Sequence, residues 1–234
     1  MLSDIQDTFK HERDQFNEDF KLRIHRTLSW LQRAEQAQLE QDLDSQFIFL
    51  WIGFNAVYAK DLGAGIRSVD KGLFVQFLHR ICYLDREQRI YHSVWNTFSG
   101  SIRVLLDNQF TFQPFWDYHN GLISENAWLE DFERNKKKAI NALSQKDTPE
   151  ILIAVFHHLY TLRNQIIHGG ATFNSKVNRS QLKDACNILA TLIPEMLKVM
   201  LQNPDDKTWG KPFYPVVKIW LPEQSCFSLA WLNL

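Results

Sequence analysis

The segment from Gln46 to Lys60, QFIFLWIGFNAVYAK, constrains the fold more than any other part of the chain. It is apolar nearly all round, and a helix without a polar face must be buried on most of its sides. The segment therefore predicts a central helix surrounded by others. Its apolar stretch, Phe47 to Ala59, contains Asn55 and is about five residues short of a membrane-spanning helix, so a protein interior rather than a bilayer is the expected surrounding.

The flanking sequence supplies the surrounding helices. From Asp4 to Gln41 the chain is charged and free of Pro, with Ile5, Phe9, Phe16, Phe20, Ile24, Leu28 and Leu31 at three-, four- and seven-residue steps. That spacing predicts one long amphipathic helix or two in succession. Leu73 to Leu84 and Arg86 to Leu106 show the same periodicity, the latter with Ser99-Gly100-Ser101 as a place to bend or break. Asn108 to Ser124 reads as an irregular, aromatic-rich connection. Glu125 to Ser144 is a polar helix with Glu130–Arg134 and Glu133–Lys137 pairs in the favourable order. Thr148-Pro149 resembles an N-cap followed by Pro at the first helical position, opening a helix that ends at Gly169-Gly170. Asn178 with Gln181 resembles a capping box opening the next helix, to about Gln202, with Pro194 as a possible kink. The organisation is read as one domain over residues 1–234: an N-terminal helical part (1–41), a bundle core (42–202) and a C-terminal tail (203–234). The tail holds four of the seven prolines, and Tyr214 to Trp220 reads as a short strand or extended arm.

Charge narrows the function classes. Lys and Arg number 26 against 27 Asp and Glu, a net charge of −1, so no global field draws the protein to nucleic acid or membrane and any such contact must be local. Arg134, Lys136, Lys137 and Lys138 form a basic cluster best read as a solvated helix face. Cys82, Cys186 and Cys226 are too far apart for a CxxC motif and odd in number, which argues against a disulfide scaffold and for a reducing compartment. The polar, acidic start carries no secretory signal, and a cytoplasmic location without membrane attachment is expected.

The helix ending at Gly169 carries the candidate chemistry. At about 100° per residue, Leu152, Val155, Phe156, Leu159 and Ile166 make one apolar stripe, and Arg163 falls near its middle. A guanidinium there needs polar partners, a subunit seam or an anionic ligand, unless it snorkels to the edge or pairs with a core carboxylate. His157, Thr161, Asn164 and His168 form a polar stripe on the other side. Arg163 and His168, five residues apart, point about 140° away from each other in a straight helix. Either the last turn loosens or two copies of the helix combine their residues, and the second is the expectation. A last-turn histidine is biased by the helix dipole towards its cationic form; the bland alternative is that His168 only caps carbonyls.

Other constellations are weaker. The adjacent His157 and His158 point in different directions and make a poor metal pair. Gly63-Ala64-Gly65 lacks the Lys and strand context of a phosphate loop. Trp51, Trp95, Trp116 and Trp128 suit a core better than base stacking.

Arg163-Asn164-Gln165-Ile166-Ile167-His168 resembles the R-x4-6-H signature of the HEPN superfamily, including a polar residue directly after the arginine. The context LRNQIIHGGATFNSKVNR and the apolar helix FIFLWIGFNAVY about a hundred residues earlier are similar to bacterial HEPN-domain proteins, and the resemblance covers roughly Gln46 to Gln202. It implies an all-α fold, an antiparallel helical bundle, here with an extra N-terminal helix and a short extended C-terminal tail. It also implies a homodimer whose two motifs share a composite cleft, and metal-independent cleavage of an RNA substrate in toxin–antitoxin or anti-phage systems, with no cofactor and with an antitoxin protein as a further partner. In that chemistry the ribose 2′-hydroxyl attacks the adjacent phosphate to leave a 2′,3′-cyclic phosphate. His168 moves the proton, Arg163 holds the phosphate, and Asn164 orients the histidine or the phosphate. The alternatives are a non-catalytic HEPN module that binds nucleotide, RNA or a partner protein, and a purely structural interaction domain in which Arg163 forms a buried ion pair that fixes the dimer. Toxins silenced by nucleotide addition often carry a tyrosine two residues after the histidine; Gly170 stands there, which puts that control in doubt.

Overall fold

The computed structural model describes residues 2–61, 70–176 and 178–214, and every regular element among them is helical. The glycines at 63 and 65, Cys226 and most of the Tyr214–Trp220 stretch lie outside the described residues.

The N-terminal periodicity resolves into two helices, α1 (Leu2–Glu12) and α2 (Glu18–Leu39). The break falls where Asn17 turns extended and its side chain accepts a hydrogen bond from the Phe20 amide at 2.9 Å, an N-cap that starts α2 afresh. Phe9, Phe16 and Phe20 stack across the junction, so the apolar stripe continues although the helix does not.

The Gln46–Lys60 segment forms α3 (Leu43–Tyr58), capped by Asp42 at the Ser45 amide. A three-residue connection folds α2 back beside it, and α3 also touches α4 (Asp70–Leu84), α9 (Thr148–Ile167) and α10 (Arg179–Leu201). Phe47, Leu50, Trp51, Phe54 and Val57 are buried. Phe54 packs on Phe156 of α9 with ring centroids 4.2 Å apart. This is the central helix that the all-apolar segment predicts.

The stretch from Arg86 to Leu106 is not one helix. It divides into α5 (Arg89–His92), a π-type turn (Ser93–Thr97) and α6 (Ser99–Leu106). The break is at Phe98, and Ser99-Gly100-Ser101 begins α6 instead of interrupting it. The start at Arg89 is set by Asp85, whose carboxylate accepts from the Arg89 and Ile90 amides. The expected irregular connection contains a 3₁₀ turn (Gln109–Thr111) and α7 (Gln113–His119), with Pro114 in the first turn, where its missing N–H costs nothing.

Helix α8 (Glu125–Gln145) keeps its polar character, with different ion pairs: Arg134 meets Asp131, and Lys136 reaches across to Asp107. Helix α9 starts one residue earlier than expected. Asp147 is the N-cap, accepting from the Glu150 amide, and Thr148 Oγ1 instead accepts from Trp95 Nε1 at 2.8 Å. Pro194 lies inside α10 without ending it. Asn178 forms no capping box, because its backbone is left-handed (φ 55°) and this turns its amide towards Gln165.

The C-terminal tail is not extended over its described part. Residues 203–209 turn back on the bundle, where Trp209 is buried against Phe77 and donates from Nε1 to the Asn203 carbonyl, and Arg80 holds Asp206. This turn completes a hub around Arg23, which is 1% exposed. Arg23 Nη1 donates to the carbonyls of Ala56, Val57 and Ala59, and Nη2 to those of Trp209 and Gly210, at 2.8–3.2 Å. The first three acceptors are orphan carbonyls at the C-terminus of α3, where the helix dipole favours a cation. Burial lowers the Arg23 pKa to about 10, which leaves it charged at neutral pH.

Candidate functional site at the end of helix α9

Leu152, Val155, Phe156 and Leu159 of the expected apolar stripe are fully buried, which fixes the rotation of α9 against α3 and α4. That rotation leaves Arg163 half-buried at the edge of the stripe. Its alkyl stem is drawn in far enough that Nε is buried without a hydrogen-bond partner. Nη1 donates to Asn164 Oδ1 at 2.9 Å, and the guanidinium carbon lies 5.6 Å from the Tyr160 ring centroid. Among the described residues no carboxylate pairs with Arg163, so the reading of a core ion pair within one chain does not hold. Among the described residues Nη2 has no hydrogen-bond partner.

Asn164 is half-buried and commits its oxygen to Arg163, so within one chain it positions the arginine and leaves the histidine alone. His168 is exposed at the C-cap position, its backbone N–H donating to the Asn164 carbonyl at 3.0 Å. The helix does not loosen before it. Gly169 N–H donates to the Ile166 carbonyl and Gly170 N–H to the Gln165 carbonyl at 2.7 Å, the paired bonds of a Schellman turn. Gly169 has φ +69°, and a Cβ on Gly170 would sit 3.0 Å from the Gln165 oxygen. The left-handed turn therefore favours glycine at 169, and a side chain at 170 would crowd the Gln165 carbonyl. With α-helical bonding intact to the end, Arg163 and His168 of one chain stay about 140° apart.

The end of α9 is held from outside. Gln165 Nε2 donates to the Phe110 carbonyl at 2.7 Å, and Asn178 reaches Gln165 from the start of α10. In the loop after the motif, Arg179 pairs with Asp44 of α3 at 2.9 Å, and the Asn174 amide donates to the same carboxylate. Around this braced end three apolar side chains face solvent: Phe110 at 42%, Ile167 at 48% and Phe173 at 75% exposure.

A cavity of about 930 Å³ lies at the opposite end of α9, bordered by Asp147, Thr148 and Pro149, and contains none of the motif residues. Sequence reasoning treated His157 and His158 as a weak metal pair; they separate as their one-residue spacing requires. His157 is exposed against Phe74, while His158 is buried with Nδ1 2.6 Å from Thr111 Oγ1. Among the described residues no three His, Cys, Asp or Glu side chains converge as a metal site needs, and no helix is long and apolar enough to cross a membrane. Cys82 and Cys186 are free thiols, each pushed up to about 12 by burial.

No family model matches this sequence, and no curated protein or solved structure shows significant similarity to it.

Proposed function

We propose that this protein is a metal-independent endoribonuclease of the HEPN class, of toxin or anti-phage type, working as a homodimer with Arg163, Asn164 and His168 of two copies in one cleft. The observation that supports this reading most is the state of Arg163. It is a cation fixed by Asn164 and by its buried stem, and among the described residues no carboxylate neutralises it and Nη2 is uncommitted. That arrangement suits a phosphate, whose oxygens accept charge-assisted bonds from a guanidinium edge.

The intact helix end argues for two chains rather than one. A single copy cannot turn His168 towards its own Arg163, whereas a second copy docked on the Phe110, Ile167 and Phe173 surface brings a histidine opposite each arginine. In the cleft, one His168 takes the proton from the ribose 2′-hydroxyl as its oxygen bonds to phosphorus. The bond to the 5′-oxygen breaks, and that oxygen receives a proton from an imidazolium. Arg163 opposes the charge that builds on the phosphate oxygens. The products are a 2′,3′-cyclic phosphate and a 5′-hydroxyl.

The test uses purified wild-type, Arg163→Ala and His168→Ala protein with total RNA in EDTA, each variant alone and the two mixed after subunit exchange. Wild type is expected to cut and leave cyclic-phosphate ends, and each variant to lose activity by about 10³-fold. The mixture should regain activity above that of either variant alone, since random exchange makes half the dimers mixed and the cleft of each of these again holds one Arg163 and one His168. Cutting by both variants at the wild-type rate would remove the motif from the chemistry. If the wild-type protein binds RNA without cutting it, the non-catalytic binding module is the correct reading.

A further inference from the structure

A second, smaller cavity of about 210 Å³ opens beside α9, between the 3₁₀ turn at Gln109–Thr111, α8 and the middle of α9. Its walls include Phe112 and Phe132, whose rings meet edge to face with centroids 5.3 Å apart, and its polar groups include His158, Thr161, Gln113 and Asn135. No Lys, Arg, Asp or Glu lines it. The volume is below the roughly 300–1,000 Å³ of sites for drug-sized ligands, so it has room for a single planar ring system.

The polar groups are already oriented by the fold. His158 Nδ1 is engaged by Thr111 Oγ1, so among the described residues Nε2 is the ring nitrogen left without a hydrogen-bond partner. His158 itself lines the cavity. Burial lowers the His158 pKa to about 4, and at neutral pH the imidazole offers a hydrogen bond without a charge. Gln113 donates its amide N–H to Asp117 and Asn135 donates to the Asp131 carbonyl, which leaves both amide oxygens as acceptors at the rim. An uncharged, aromatic-walled space edged by neutral donors and acceptors fits a heteroaromatic ring and does not fit a phosphate or carboxylate.

The placement ties this cavity to the motif. On the helical projection His157 and Thr161 lie on the same side of α9 as Asn164 and His168, His158 stands about 80° round from His168, and Thr161 is about 10 Å along the axis from His168. We propose that this cavity is a nucleobase subsite, taking the base of a nucleotide near the one whose phosphate lies at His168. The base stacks on Phe112 or Phe132 and hydrogen-bonds His158 Nε2 and the Asn135 amide. The assignment to substrate RNA rests on the ribonuclease reading; the capacity to hold a base does not.

The experiment is therefore done on the His168→Ala protein, where cleavage plays no part. Uridine, cytidine, adenosine and guanosine are titrated singly, with ribose 5-phosphate as the control without a base. The readout is the NMR signal of the His158 ring, assigned by its loss in His158→Gln. At least one nucleoside is expected to shift it while ribose 5-phosphate does not. Asn135→Ala, an exposed position that tolerates truncation, and Phe132→Ala should each weaken that binding by about tenfold. No nucleoside response at millimolar concentration, an equal response to ribose 5-phosphate, or unchanged affinity in both variants overturns the subsite. RNA cutting by the wild-type protein together with any of these results would overturn the subsite alone and leave the ribonuclease reading standing.

Discussion

Two arginines divide the molecule into a region that is finished and a region that is not. Arg23 is buried with five carbonyl acceptors around its two terminal nitrogens, and its whole environment comes from its own chain. Arg163 has one side-chain acceptor, a ring beneath it and a terminal nitrogen open to the outside, while Nε is buried without a hydrogen-bond partner in both arginines. The same side chain therefore serves two ends. Where both terminal nitrogens are met within the chain the side chain is structure, and where one is held in place but unmet it is a place for something else to bind.

The contrast can be broken most sharply at Arg23. Replacing it with Ala leaves the carbonyls of Ala56, Val57, Ala59, Trp209 and Gly210 without this donor, those of Val57 and Trp209 buried, and removes the cation from the end of α3. Each enclosed orphan costs about 1–3 kcal/mol before relaxation, so a loss of about 3–5 kcal/mol is expected in urea unfolding. A loss below about 1 kcal/mol would show that the hub is not a structural centre.

His158 provides an intermediate case, a buried titratable group near the motif that is satisfied on one side only. Desolvation, followed by the charge of neighbouring His157, lowers its pKa from 6.5 to about 4. Because the folded value lies below the unfolded one, its contribution is fully present above pH 6.5 and is lost as pH falls towards 4. At about 1.4 kcal/mol per unit this is roughly 3 kcal/mol at most. Denaturant midpoints measured between pH 7 and 4 should fall more steeply for the wild type than for His158→Gln; parallel curves would show that the imidazole is not held neutral by the fold.

The smallest stability effect is expected at Arg163. Truncation to Ala removes one hydrogen bond and a ring contact at a half-exposed position, so unfolding should change by about 1 kcal/mol or less. A loss of several kcal/mol would place Arg163 with Arg23, as a residue serving the fold.

How much of this is legible in the sequence follows from which signals are local. The all-apolar α3 segment could only be a buried helix, and the 3.6-residue periods of α2, α4, α8 and α10 survive folding because each describes a single face against the core. Boundaries were less legible. Asp147 rather than Thr148 caps α9 because Trp95, fifty-three residues earlier, engages the Thr148 hydroxyl. Asn178 misses its capping box because Gln165 draws its amide away. The motif on α9 was visible as an arginine on an apolar stripe followed by a histidine and two glycines. Its partner Asn164 was visible as a neighbour, although the bond it makes was not. Arg23 carried no signal: in the sequence it is one of several charged residues on an amphipathic helix, and only the return of Trp209 and Gly210 reveals what it holds. The His158 cavity was hidden for a similar reason, since Phe112 and Phe132 come from separate stretches with no shared spacing.

The Arg23 hub also has a temporal side. Its Nη2 acceptors follow the arginine by 186 residues or more in the chain, so a growing polypeptide reaches the α2–α3 hairpin long before the last two carbonyls exist. Until Trp209 and Gly210 emerge, one edge of that guanidinium must stay wet. The hairpin is thus held short of its final dryness through most of synthesis, and the docking of residues 203–210 is the step that commits the early helices to the mature arrangement.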